Sequence, residues 1–263
     1  MGETLMAKPT VSNPKDSVLW CKEAASLMEK GDDKGALYCY KEAVKIEPKE
    51  ADVWFNIVSL GEKTGEKATA FAAAVTAEKM FPADYRFPAE QARMLAGEGK
   101  YAKALEEADK AAEINPHNPV LLSNKAGYMI FTGDNAGALE TADKALMIDP
   151  SCISAYLHKA HALVNLGKLE EADNILDTAA DDIRAVKMQA NISIRREEFT
   201  RAKDKAEAVL KMNPEDDEAW SLCGAAYAYL GDKDEAADAF SHAVKLNPKN
   251  KAYRANLMAV KKA

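Results

Sequence analysis

Along the chain, apolar residues recur at helical spacing in stretches of about 14 residues, each closed by a glycine. Gly31, Gly65, Gly99, Gly133 and Gly167 lie 34 residues apart. Pro48, Pro82, Pro116 and Pro150 repeat the same interval, and so do Pro214 and Pro248. The 64 residues between Pro150 and Pro214 equal one period of 34 and one shortened to 30. Carried across that step, the glycine series continues as Glu197 and Gly231. A third column is alanine throughout: Ala36, Ala70, Ala104, Ala138, Ala172, Ala202 and Ala236. Three columns holding constant offsets predict a repeated helix–turn–helix unit. The glycine supplies the left-handed residue of a tight turn. The alanine lets two helices approach, and the proline ends the hairpin. A single hairpin cannot bury its apolar face, so neighbours must stack.

Further columns sharpen the pattern. A large first-helix residue appears as Trp20, Trp54, Leu122, Tyr156, Val186 and Trp220, with Pro88 as the exception. Four positions later come Ala24, Val58, Ala92, Ala126, Ala160, Ala190 and Gly224. A second small column runs through Ala43, Ala77, Ala111, Ala145, Ala179 and Ala243, with Val209 in the sixth repeat. On these residues the chain resembles the tetratricopeptide repeat (TPR) family. The resemblance implies an all-α fold, a right-handed α-solenoid (superhelix) of seven TPR helix-turn-helix units plus a C-terminal capping helix. The expected units are 17–50, 51–84, 85–118, 119–152, 153–182, 183–216 and 217–250. Residues 1–16, with Pro9 and Pro14 and no helical pattern, are expected to be a flexible tail. Residues 251–263 are expected to form the capping helix, with Tyr253, Leu257 and Val260 on its inner face.

Three positions depart from the pattern. The fifth repeat lacks its proline and four residues, about one helical turn, so its faces stay in register. Glu197 replaces the turn glycine of the sixth, which predicts a looser or strained turn. Pro88 falls in the first turn of the third hairpin and is tolerated at a first helical position, which predicts a late helix start.

The family resemblance implies that first helices line a concave groove that binds an extended peptide or a partner helix. By that resemblance the peptide-groove residues are Asn56, Arg93, Asn124, His158, His161, Asn165, Lys187, Asn191 and Arg195. Asn56 and Asn124 occupy the same place in two hairpins. An amide there can donate to and accept from a peptide backbone without reading side chains; it can equally be an ordinary polar surface residue. Lys187 and Asn191 match the opening pair of the carboxylate clamp of TPR co-chaperones. Leu222, Ala252 and Asn256 break the rest of that pattern, and a second partial match, Asn56 with Arg86, is broken by Glu90.

Charge adds a local feature. The net charge is −7, which disfavours nucleic acid and basic membrane-surface binding. Between 183 and 211, however, eight basic residues face four acidic ones. That stretch could draw an acidic partner segment, or it could be paired by its own neighbours. The four cysteines show no CxxC spacing, and no segment reads as a leader or a membrane span, so a cytoplasmic protein is expected. His158 and His161 with Cys152 lack a supporting third ligand, and no catalytic motif is present. The expectation is therefore a non-enzymatic scaffold with no cofactor or metal, binding another protein as a monomer or weak homodimer. The alternatives are a co-chaperone or assembly factor recognising an acidic C-terminal tail, and an accessory subunit of an enzyme complex.

Overall fold

The computed structural model describes residues 9–262, and among them regular structure is entirely helical. The chain divides into two compact units, Met1–Leu121 and Leu122–Ala263. The first holds α1 (Ser17–Glu29), α2 (Asp33–Ile46), α3 (Ala51–Lys63), α4 (Lys67–Met80), α5 (Arg86–Gly97) and α6 (Tyr101–Ile114). The boundary falls inside α7 (Pro119–Thr132). The second continues with α8 (Asn135–Ile148), α9 (Ile153–Asn165), α10 (Leu169–Leu176), a 3₁₀ turn (Asp177–Ala179) and α11 (Ile183–Arg195). It ends with α12 (Phe199–Met212), α13 (Asp217–Leu230), α14 (Lys233–Leu246) and α15 (Lys251–Lys262).

In the first unit each helix packs on the next, and α3 also touches α5. Its core gathers Trp20, Leu37, Tyr40, Ile57 and Val58. The second unit follows the same rule from α8 to α15, with α9 against α11, α11 against α13 and α13 against α15. The alanine column is fully buried at all seven positions, as close helix approach demands. Gly61 shows how close: a Cβ there would lie 3.1 Å from the Ala70 amide nitrogen. Each tryptophan of the large-residue column adds a latch. The indole Nε1 of Trp20, Trp54 and Trp220 donates to the carbonyl of Pro14, Pro48 and Pro214, at 3.0, 2.8 and 2.9 Å.

The turn at Glu197 is strained and not loosened. Its φ is +61°, beside +78° at Gly167. The hydrogen bonds are those of the glycine turns: Glu197 N–H to Ile194 O at 3.0 Å and Glu198 N–H to Ser193 O at 2.9 Å, matching Gly167 to Val164 at 3.1 Å and Lys168 to Leu163 at 2.9 Å. α5 starts at Arg86, with Pro88 in its third position and not its first. Amides of a first turn have no intrahelical acceptor, so the missing N–H breaks no helix bond.

Of the expected free tail, residues 1–8 lie outside the described residues. From Pro9 onward the chain is not free: Val11 packs against the first core, the Pro14 carbonyl accepts from Trp20, and Asp16 caps α1. In the shortened repeat α10 ends in its 3₁₀ turn, and Asp182 caps α11 by accepting from the Arg184 N–H at 2.9 Å. On α15, Tyr253, Leu257 and Val260 are half-buried, while the rest of the described helix is exposed.

Candidate functional site

In the second unit, α9, α11 and α13 stand side by side and leave an open trough of about 320 Å³. Val164, Met188 and Ile192 give it an apolar floor. His161, Asn191, Arg184, Lys187 and Glu218 complete its lining. Residues four apart share a helix face, which is why Arg184, Met188 and Ile192, and likewise Lys187 and Asn191, meet there.

Most cations around this trough are already neutralised. Lys187 Nζ lies 2.7 Å from Glu218 and 3.1 Å from Asp216. Burial pushes its pKa down, yet the bonds to those carboxylates outweigh it and hold the pKa up. The Arg184 guanidinium grips Asp182 with two bonds, at 3.0 and 2.7 Å. Elsewhere in the basic stretch, Arg196 and Arg201 pair with Asp173 and Glu198, and Lys205 donates to Gln189. Arg195 differs. It is exposed, and among the described residues its guanidinium reaches only the Val164 carbonyl, at 3.5 Å.

The remaining groove residues separate by their partners. Asn191 is exposed and Asn124 half-buried, and neither amide is bonded to another described residue. Asn165 is occupied, donating to Asn135 Oδ1 at 2.9 Å. His158 Nδ1 lies 3.1 Å from Ser123 Oγ, which itself donates to Ser154 at 2.9 Å. The His158 ring fills the notch over Gly127, where a Cβ would meet its Nε2 at 2.9 Å. His161 sets its ring edge-on to Phe131, with centroids 6.4 Å apart. Burial lowers the pKa of both histidines, so each is neutral near pH 7. In the first unit, Arg93 is held by Glu62 and Glu90, both at 2.7 Å, and Asn56 is half-buried.

The structure thus brings His161, Lys187 and Asn191 together in one trough, with Arg195 reaching toward α9 beside it. Asn56 and Arg93 belong to the other unit. The reading of the sequence missed Glu218 and the apolar floor. One signal pointed to Glu218: it occupies the second position of its repeat, as Arg86 and Arg184 do in theirs. Among the described residues no helix is long and apolar enough to cross a membrane, and no group of three or more His, Cys, Asp or Glu could hold a metal ion.

Two tetratricopeptide repeat models match the chain, over residues 132–190 and 187–251. No curated protein matches it in sequence. Among solved structures it is similar to a tetratricopeptide repeat protein from Parabacteroides merdae, with a TM-score of 0.78 at 18% identity over 93% of this chain and 98% of that one. It is also similar to a chain of the APC/C hetero-tetramer Cut9–Hcn1, with a TM-score of 0.74 at 14% identity, covering 94% of this chain and 50% of that one. A third, TTC0263, a TPR protein of Thermus thermophilus, gives 0.61 at 21% identity over 68% of this chain and all of its own. At these identities the solved structures establish the fold. Residues 132–251 therefore carry tetratricopeptide repeats, and the chain shares the fold of tetratricopeptide repeat proteins along most of its length.

Proposed function

We propose that this chain is a protein-interaction scaffold whose working surface is the trough between α9, α11 and α13, and that it holds an extended segment of a partner protein there. The observation that carries this reading is the trough itself, an apolar floor bordered by the Asn191 amide and the Arg195 guanidinium, neither with a side-chain partner among the described residues. An amide without an internal partner can donate to a peptide carbonyl and accept from a peptide N–H, fixing a backbone of any sequence. A pre-stacked surface leaves the ordering cost on the ligand. The hetero-tetramer containing a chain of similar fold supports a protein partner. Clamping of a terminal carboxylate is disfavoured, because Asp216 and Glu218 already occupy Lys187.

The test uses dodecapeptides selected on the native chain from a random phage-displayed library. Asn191→Ala should weaken them by roughly 2- to 10-fold, the loss of one neutral hydrogen bond. The melting temperature should stay where it is, since this exposed amide has no partner among the described residues. Peptides that bind the variant as tightly as the native chain would remove this reading.

A further inference from the structure

Building on the groove reading above, we infer that the trough selects a dipolar segment: an acidic side chain at Arg195, an apolar one over Met188 and Ile192, and a basic one at Glu218. Uncompensated charge is distributed unevenly along the trough. At the Arg195 end stands a guanidinium with no carboxylate partner among the described residues, touching one backbone carbonyl. At the other end, α13 opens with Asp216, Asp217 and Glu218. Lys187 is shared by the first and third of these, and Asp217 accepts from the Asn247 amide and pairs with no cation among the described residues. Arg184 brings no net positive charge, because Asp182 binds it. The phenol of Tyr253 reports the excess, its pKa pushed up to about 12 by burial and by Asp217 and Glu218.

Helix dipoles blunt this contrast without reversing it. The starts of α11 and α13 contribute about half a positive charge each, and the ends of α9 and α11 about half a negative one each. Three carboxylates against one ammonium stay negative after that correction, and at the other end the exposed Arg195 guanidinium is the ionised group that a ligand carboxylate can pair with. Glu218 is also 59% exposed, so its carboxylate can turn from Lys187 to a ligand cation.

Spacing follows from the helix. Lys187 and Arg195 are separated along α11 by about 12 Å, at ~1.5 Å per residue. An extended ligand spans that in about four residues, at ~3.3 Å each. The two ligand charges therefore sit about four positions apart with the apolar residue between them. Either chain direction satisfies the pattern.

Three fluorescein-labelled peptides test this on the full chain by anisotropy. They share Gly-Ser flanks around Glu-Ser-Leu-Ser-Lys, Glu-Ser-Leu-Ser-Glu or Lys-Ser-Leu-Ser-Lys. The mixed peptide should bind roughly tenfold more tightly than either single-sign peptide, the worth of one exposed pair gained and one repulsion removed. Arg195→Glu should move the preference to the Lys–Lys peptide and Glu218→Lys to the Glu–Glu peptide. Both side chains are exposed, so the fold tolerates the exchanges. Preference for a single-sign peptide by the native chain, or equal affinity for all three, overturns the dipolar inference alone, provided Asn191→Ala weakens binding. If no peptide binds, or if Asn191→Ala changes nothing, the groove reading falls and takes this inference with it.

Discussion

Glu197 stands where six equivalent turns carry glycine, and its backbone adopts their left-handed conformation at φ +61°. A side chain in that region clashes with the following carbonyl, a cost of roughly 1–2 kcal/mol that glycine avoids. Part of the gain on removing it returns to the freer unfolded chain. Glu197→Gly should therefore stabilise the protein by about 0.5–1 kcal/mol, read as a higher urea midpoint for the transition reporting α11 and α12. An unchanged or lower midpoint would mean that the Glu197 side chain supports the turn. This site was legible as a break in a column, though not its outcome, because only coordinates tell a loosened turn from a strained one. Lys187 was less legible. As part of a locally basic run it read as available charge, and the carboxylates that bind it come from α13, a contact that spacing within one helix does not reveal.

At the scale of elements, the shortened repeat has a polar seam. Gln189 of α11 is fully buried. Its amide donates to Asp177 Oδ1 at 2.7 Å and to the Asp173 carbonyl at 3.3 Å, while its oxygen accepts from Lys205 at 2.7 Å. The truncated α10 ends at this seam, where amide bonds help join its hairpin to the next. Gln91 occupies the same repeat position in the first unit and donates to Glu78 at 2.7 Å. Gln189→Ala should destabilise by about 2 kcal/mol, through the cavity and the groups left without a partner. The check is the urea midpoint against that of Lys211→Ala, an exposed control on α12; equal midpoints would refute a structural role. The proline, glycine and alanine columns exposed the hairpins because each does one backbone job in every repeat. Glutamine does its job twice, so no column formed. The tryptophan latches escaped for a related reason, since their acceptors are carbonyls.

For the molecule as a whole, the repeat period carried the fold, since stacking is the way such hairpins bury their apolar faces. The working surface was only partly visible. His161, Lys187 and Asn191 share a trough, whereas Asn165 and Arg93 spend their polar atoms on neighbouring side chains. Net charge was a poor guide as well, because binding depends on which few charges lack partners. The Asn191 amide and the Arg195 guanidinium, without side-chain partners among the described residues, therefore concentrate the account on three helices. Backbone hydrogen exchange, followed with and without saturating Glu-Ser-Leu-Ser-Lys peptide, tests that most directly. The account predicts added protection in α9, α11 and α13 and none in α10, α12 and α14. Protection confined to those second helices, or absent from all six, would contradict it.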